Sequence, residues 1–342
     1  MPFWILFSLI FFPSAFAGKA NSSRLPIKIT ISVDWEGDRL LEENLQAMRD
    51  FRNAYPDIPL VHFLNAAYFT KNDGRTAAEV RDKIRSVLRP GDEFGLHIHA
   101  WKNLVEAAGV KYREGPTFWG TTESLPRLGE PGHDIPISAY TVDELRKLIS
   151  FSVNTLRENG FTGIKSFRAG GWVGAPNVLE ALVREGITAD SSEVPREHIF
   201  DQLAKYPIYE HVGNIWGESH VTAAPHVIET PAGPITEFPD NGGLADYVDA
   251  ATMLSVFKTN MAASKPGTEV RLHYGFHQET AAKYLVHVSE GLELIRREAA
   301  KLKAPIQPLT LTGTEMPPLL KSGPRSFAVC ARETLEKLLL GH

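Results

Sequence analysis

Apolar and polar positions follow one another along this chain in a repeating order. Ile27 to Val33 reads IKITISV, with isoleucine or valine at every second position, and predicts a first, central strand. Arg39 to Tyr55 then carries Leu40, Leu41, Leu45, Met48 and Phe51 near helical spacing, with Pro56 just beyond. The alternation continues with a strand at Leu60 to Leu64, a helix over Thr76 to Leu88 stopped by Arg89-Pro90-Gly91, and a strand at Glu93 to Ile98. Thr141-Val142-Asp143-Glu144 is a capping box that starts a helix running to Asn159 and closed by Gly160. A strand at Ile164 to Phe167, a helix entered through Pro176 and a short strand at Ile187 to Ala189 come next. After a hairpin pattern at His226 to Glu229 and Ile235 to Phe238, the chain predicts a helix at Ala251 to Ala263, a strand at Glu269 to Leu272 and a long helix at Thr280 to Leu302. A strand at Pro308 to Leu311 and a helix at Arg332 to Leu340 end the series.

Two stretches break the order. Lys102 to Ile137 is irregular and too long for an ordinary connection, which marks it as a functional loop over the site, and residues 193 to 245 form a second irregular excursion. Strands alternating with helices over about 290 residues predict a parallel α/β sheet. The polar clusters Asp34/Glu36, His97/His99, Arg168, Asp190 and His273 each fall at the C-terminal end of a predicted strand. A (β/α) barrel builds its site from several such ends, whereas an open sheet gathers residues at one switch point, so the barrel is expected.

Composition narrows the function only by exclusion. With 342 residues, 43% of them hydrophobic, the chain can bury a large core. A net charge of -5 from 36 basic and 41 acidic residues, with no basic tail, recommends no nucleic-acid partner. Residues 1–17 form an apolar run ending in Ala15-Phe16-Ala17, a small-x-small pattern that predicts a signal peptide cut before Gly18. The run could stay as an anchor, but at about 15 apolar residues it falls short of the roughly 20 a spanning helix needs. The expectation is therefore an exported protein, periplasmic or secreted, with no stable membrane insertion after cleavage and a catalytic domain over residues 26–342. The single Cys330 allows no internal disulfide.

The chemistry starts from His97 and His99 in DEFGLHIHAW. On a strand, residues i and i+2 share a face, so the two imidazoles point the same way, either as metal ligands or as a hydrogen-bonded structural pair. Asp34 and Glu36 share a face by the same rule. Two imidazoles, one carboxylate and an open position suit a divalent metal, zinc foremost, which would leave the second carboxylate as a base. His273 at the end of EVRLH could act as general acid, and Arg168 could hold the free carboxylate ionised and oriented. Each residue also has a plain structural role open to it: Asp190 as an N-cap, Arg168 as a surface cap, the tryptophans as core. Trp101 and Trp172 flank the polar motifs and are read as sugar-stacking walls. His220, His226 and His277 fall in loops and are read as solvated or rim residues.

In order, SVDWEGD (32–38), GLHIHAW (95–101), SFRAGGW (166–172), ITADSS (187–192) and EVRLH (269–273) resemble the motif succession of the polysaccharide deacetylases, the NodB-homology carbohydrate esterases. The resemblance implies a distorted (β/α)7 barrel with long strand-end loops and metal-dependent removal of N-acetyl or O-acetyl groups from glycans. It implies Asp34 as catalytic base and Glu36, His97 and His99 as metal ligands. Arg168 would tether the base, Trp172 would be the motif's aromatic, Asp190 would tune the acid, and His273 would be the general acid. The chain departs from the family in having its carboxylates two apart rather than adjacent, and its histidines two rather than four apart. Together with export, the resemblance makes N-acetylated cell-wall glycan, GlcNAc or MurNAc of peptidoglycan, the expected substrate. The rivals are a non-catalytic glycan-binding relative and a metal-dependent amidase or esterase acting on a non-sugar substrate.

Overall fold

The computed structural model describes residues 26–217, 219–265 and 268–312. The cleavage site before Gly18 and the helix expected at Arg332 to Leu340 lie outside the described residues. Within them the elements run β1 (Ile27–Asp34), α1 (Glu42–Ala54), β2 (Leu60–Leu64), α2 (Ala77–Arg85), β3 (Glu93–Ile98), α3 (Lys102–Ala107), α4 (Val142–Glu158), β4 (Ser166–Ala169), α5 (Pro176–Arg184) and β5 (Ala189–Asp190). They continue with α6 (Phe200–Leu203), α7 (Pro207–Trp216), β6 (His226–Thr230), β7 (Gly233–Glu237), β8 (Gly243–Leu244), α8 (Ala250–Ala263), β9 (Val270–His277), α9 (Ala281–Lys301) and β10 (Ile306–Pro308).

One sheet holds all the strands in the order β6-β7-β5-β4-β3-β2-β1-β9-β8, with β10 beside the first half of β1. Every pairing is parallel except the β6–β7 hairpin. The sheet curls into a distorted (β/α) barrel. The gap between β7 and β9 is bridged by the connection 238–245, whose backbone leans first on the chain at and after β5 and then on β9. Phe238 N–H donates to Asp190 O (2.8 Å) and Asp240 N–H to Glu193 O (2.7 Å), while Gly242 N–H donates to His273 O and Ala245 N–H to Gly275 O, both at 2.8 Å.

β1 lies at the centre and is almost wholly buried: Ile27, Ile29, Ile31 and Val33 pack outward into the helix layer, and Ser32 and Asp34 point into the barrel. Strands covered on both faces read as near-continuous apolar runs, as β2 (LVHFL) nearly does, whereas β1 keeps its alternation because its inward positions carry the polar Ser32 and Asp34. The capping box at Thr141 is present, with Thr141 and Glu144 bonding reciprocally, and a second one, Thr76 with Glu79, starts α2. No helix among the described residues is long and apolar enough to cross a membrane.

Candidate functional site

β1 ends at Asp34, and the chain turns away at Gly37, whose φ of 77° lies in the left-handed region. A Cβ there would come within 2.9 Å of Ala67 Cβ and the Asn65 side chain, so the turn that delivers Glu36 requires glycine. The Glu36 carbonyl is held by Asn65 Nδ2 (3.1 Å) and by the indole N–H of Trp101 (2.8 Å). From β3, His97 and His99 converge on the Glu36 carboxylate, their ring centres 5.0 Å apart. His97 Nε2 lies 3.2 Å from Glu36 Oε1 and His99 Nε2 2.8 Å from Oε2.

The other nitrogen of each ring decides what these contacts mean. His97 Nδ1 sits 2.8 Å from Arg168 O, and His99 Nδ1 bonds to His133 O. A carbonyl only accepts, so both Nδ1 atoms carry a proton, and each Nε2 faces the carboxylate either as the N–H of an imidazolium or, with a cation between them, as a lone-pair donor to that cation. Neutral imidazoles so arranged repel Glu36 unless a positive charge lies between them. Burial alone would raise the Glu36 carboxyl, yet His99, the bonds from His97 and His99, and His277 hold it well below the usual range. Burial alone would lower His99, and Glu36 turns that into a rise. A divalent cation satisfies the same demand without protonating either ring, and backbone-anchored imidazoles are the usual form of metal-ligating histidine. Glu36, His97 and His99 place one donor atom each within 4.8 Å of one another. The 3.2 Å separation between His97 Nε2 and Glu36 Oε1 is close to the roughly 3.4 Å between two ligands of a tetrahedral zinc ion with bonds of about 2.1 Å. The donors present fit such an ion.

Beneath this cluster lies a second layer, wholly inside the barrel. The Arg168 guanidinium has no solvent exposure. It donates to Asp34 Oδ1 (3.2 Å), Ser32 Oγ (3.2 Å), Ser191 O (2.8 Å) and Ser191 Oγ (2.9 Å), and it lies 3.5 Å from Asp240 Oδ2. Burial alone would lower Arg168; Asp240 and Asp34 reverse this and raise it. Arg168 is thus shared between Asp34 and a second carboxylate, Asp240, that sequence reasoning missed.

His273 belongs to this buried layer and not to the mouth, which corrects its expected role as general acid. The strand does not stop at Leu272 but runs to His277, placing His273 in mid-strand opposite Thr30. The Ser191 hydroxyl gives its proton to Phe238 O (2.7 Å), so His273 Nδ1 donates to Ser191 Oγ (3.3 Å) and Nε2 accepts from Arg168 (3.3 Å). Burial, reinforced by Arg168, holds His273 well below the usual range. It is neutral and has no proton to offer the cavity. Asp190 is also fully buried. It accepts from Ser192 Oγ (2.8 Å) and faces Glu237 across the β5–β7 pairing, without touching His273.

Asp34, Glu36, His97 and His99 line one cavity of about 250 Å³ at the C-terminal end of the barrel. His277, read from sequence as a rim residue, lines it too: Nε2 is 3.6 Å from Glu36 Oε1 and Nδ1 is 2.9 Å from Asp246 Oδ2. Asp246 is fixed by Thr280 Oγ1. Burial alone would lower His277, but Asp246, with Glu36 and Asp34 behind it, pushes it up to about 10. The signal for His277 was in the sequence, because the alternation of Leu272, Tyr274 and Phe276 with Arg271, His273 and Gly275 carries the strand to residue 277.

Of the two expected stacking walls, Trp172 lines the cavity and Trp101 does not. Trp101 is 1% exposed, clamps Glu36 from behind and has Lys71 Nζ 3.5 Å over its ring. Trp172 keeps a left-handed φ of 57°, a strain of about 1–3 kcal/mol for a residue with a Cβ. It is held there by Trp216 Nε1 on its carbonyl (2.8 Å) and by its own indole N–H on Asp240 Oδ2 (3.2 Å). The two irregular stretches supply the remaining walls, among them Phe118 and the 40%-exposed Trp119 from the first and Leu203, Ile208 and Tyr247 from the second and its end.

No protein-family model matches the chain, and no curated protein matches it. Solved structures that it resembles include a Mycobacterium smegmatis protein assigned as a polysaccharide deacetylase, at TM-score 0.47 and 11% identity over 86% of this chain and 96% of that one. A 4-alpha-glucanotransferase from Thermococcus litoralis is matched at TM-score 0.43 and 11% identity, over 83% of this chain and 39% of that one. A family 4 carbohydrate esterase from Streptomyces lividans, solved with acetate, is matched at TM-score 0.39 and 9% identity, over 83% and 92%. At such scores and identities none of them assigns a role to a residue of this chain.

Proposed function

We propose that the protein is a metal-dependent hydrolase that removes acetyl groups from the amino nitrogen of a glycan, with exported cell-wall glycan such as peptidoglycan as substrate. The observation that carries this reading is the Glu36–His97–His99 cluster, with both Nδ1 atoms tied to backbone carbonyls and a separate carboxylate, Asp34, oriented beside it by Arg168. Glu36, His97 and His99 would hold the metal, zinc foremost. Such an ion supplies Lewis-acid chemistry, polarising an acyl carbonyl and acidifying water.

The chain's own groups divide the remaining work. Asp34 reaches the cavity with one oxygen committed to Arg168, and its carboxylate accepts the proton of the attacking water. His277, oriented through Nδ1 by Asp246, carries the proton that the leaving amine needs. Trp172 and Trp119 offer flat apolar faces for a sugar ring. Export rests on the Ala15-Phe16-Ala17 pattern, and N-terminal sequencing of protein recovered outside the cytoplasm should begin at Gly18; an intact Met1 would remove this part of the proposal.

The test is elemental analysis of purified protein paired with acetate release from N-acetylated and O-acetylated oligosaccharides, peptidoglycan fragments and simple N-acetyl amides. Stoichiometric metal with acetate released from N-acetyl sugars supports the proposal. Metal-free protein that still binds chitooligosaccharide or peptidoglycan establishes the non-catalytic reading, and turnover confined to non-sugar amides or esters establishes the other.

A further inference from the structure

The cavity beside the Glu36–His97–His99 cluster is lined by five acidic side chains, Asp34, Glu36, Asp134, Asp246 and Glu279. Among its described lining residues there is one permanent cation, Arg127, contributed by the first irregular stretch. Three features show that Arg127 is held there and not merely nearby. Its backbone pairs with Glu130 in a tight turn, Arg127 N–H to Glu130 O at 2.9 Å and Glu130 N–H to Arg127 O at 3.2 Å. The two residues between, Leu128 and Gly129, have φ of 55° and 82°, the combination that a two-residue hairpin turn with matching twist demands. Finally, Glu130 is anchored to the barrel by Asn103 N–H (2.8 Å) and Lys71 Nζ (3.2 Å), so the turn is tied down from below.

The guanidinium uses only part of its bonding capacity. Its Nη2 lies 2.8 Å from Asp38 Oδ2, a carboxylate only 1% exposed, and no other side-chain partner is present among the described residues. The Arg127 side chain remains 44% exposed and borders the cavity. A guanidinium carries five N–H donors in a planar fork, and a single ion-pair contact with Asp38 leaves most of them for a further partner. The partner that best matches those donors is a second carboxylate. Arg127 also stands on the metal side of the cavity. It is close enough to His133 to depress that ring, after burial and alongside His99, and His133 supplies the carbonyl on which His99 is anchored.

We propose that Arg127 is a specificity-determining residue that selects glycans bearing a carboxylate on or next to the N-acylated sugar. This rests on the deacetylase reading above and refines its substrate class. The same chemistry is offered by a lactyl ether on the acylated sugar itself and by a uronic acid in the adjoining unit. Arg127 is the permanently charged cation among the described residues lining the cavity, so it bears on both the affinity and the placement of a substrate carboxylate.

The experiment measures kcat/KM for acetate release from two carboxylated N-acetyl oligosaccharides, one with a 3-O-lactyl group and one with a neighbouring uronate, each against its methyl ester. Binding of the same four compounds is measured by calorimetry without relying on turnover. Wild-type protein should favour at least one acid over its ester by about tenfold. The ratio should fall to within about twofold in Arg127→Ala and be partly kept in Arg127→Lys. Because Arg127→Ala strands the buried Asp38, the double variant R127A/D38N is run beside it, and it should show the same collapsed ratio. Whichever acid carries the preference identifies the source of the carboxylate. Equal use of acid and ester by wild-type protein, or an undiminished ratio in both Ala variants, overturns the inference while leaving deacetylation intact. Acid-selective binding that depends on Arg127, with no acetate released from any compound, supports the inference and sinks the deacetylase reading instead.

Discussion

Arg168→Met tests the buried layer directly, since methionine keeps much of the length and apolar character while deleting the charge. In the wild-type protein Arg168 compensates two carboxylates, Asp34 at 3.2 Å and Asp240 at 3.5 Å, and all three side chains are shut off from solvent. Removing one partner of a buried ion pair costs about 3–5 kcal/mol, because the remaining charge is desolvated without compensation. Here two remain, facing one inside the other's field. Set against a typical domain stability of about 5–15 kcal/mol, the loss should be large yet survivable. Its pH dependence gives the sharper signature. Asp240 is already raised, first by burial, with Arg168 pulling it down and Asp34 pushing it up. Without Arg168 it rises further, so the folded variant binds a proton that the unfolded chain has released. Stability then falls as pH rises, and the variant's deficit should shrink from about 4 kcal/mol near pH 8 to about 2 near pH 5. Urea unfolding of metal-free protein at both pH values reads this. The double variant R168M/D240N should recover part of the loss, since it removes one stranded charge. A deficit under about 1 kcal/mol, or one that does not change with pH, would refute the reasoning that a compensated buried charge layer holds the barrel interior.

Three further outcomes are expected. His97→Ala and His99→Ala should each lose most of the bound metal with little change in far-UV circular dichroism, and unfolding with metal retained in the folded fraction would make the pair structural. Asp34→Asn should keep its metal and lose turnover by about 10²-fold or more, whereas Glu36→Gln should lose metal affinity and regain some activity with excess metal; the reverse pattern would exchange the two roles. Glu237 is held well above the usual range by burial and by Asp190 beside it. The folded state therefore keeps a proton that the unfolded state gives up, and this group's contribution to wild-type stability, full below about pH 4.5, should decline as pH rises above it by at most about 1.4 kcal/mol per unit. Glu237→Gln should flatten that slope, as measured by urea midpoints across the range.

Much of the barrel was legible because its strands obey simple rules. β2 and β3 fall at the limits read from the sequence, and α1, α8 and α9 lie within three residues of theirs. That His97 and His99 face the same way was legible from the two-residue period of a strand, whereas grouping Glu36 with them came from the motif resemblance. What stayed hidden has identifiable causes. His277 was lost because the Glu269–Leu272 pattern was stopped at its first histidine. Asp240, Asp246 and Arg127 lie on connections without periodicity, and their positions depend on the barrel-closing backbone bonds of 238–245 and on the turn at 127–130. Trp101 looked like a sugar wall because it flanks a polar motif, but its indole N–H found the Glu36 carbonyl and its ring was buried.

Strand rise accounts for the division of labour between residues that look interchangeable in sequence. A strand advances about 3.3 Å per residue, so residues two apart are separated by roughly 7 Å along the strand and residues four apart by roughly 13 Å. Asp34 and Glu36 share a face, with Trp35 between them turned outward onto His62 (3.2 Å). The two-residue step is enough to leave Asp34 on the Arg168 layer while lifting Glu36 to the histidines above. The four-residue step from His273 to His277 does the same on β9, and because it is twice as long it separates the roles completely. One imidazole is locked neutral under Arg168, and the other stands at the mouth with Asp246 behind it. A proton carried by His273 would have to cross the Arg168 layer to reach a substrate, and one carried by His277 would not. The geometry of the strand therefore puts His277, and not His273, where the acid of the proposed reaction would have to stand.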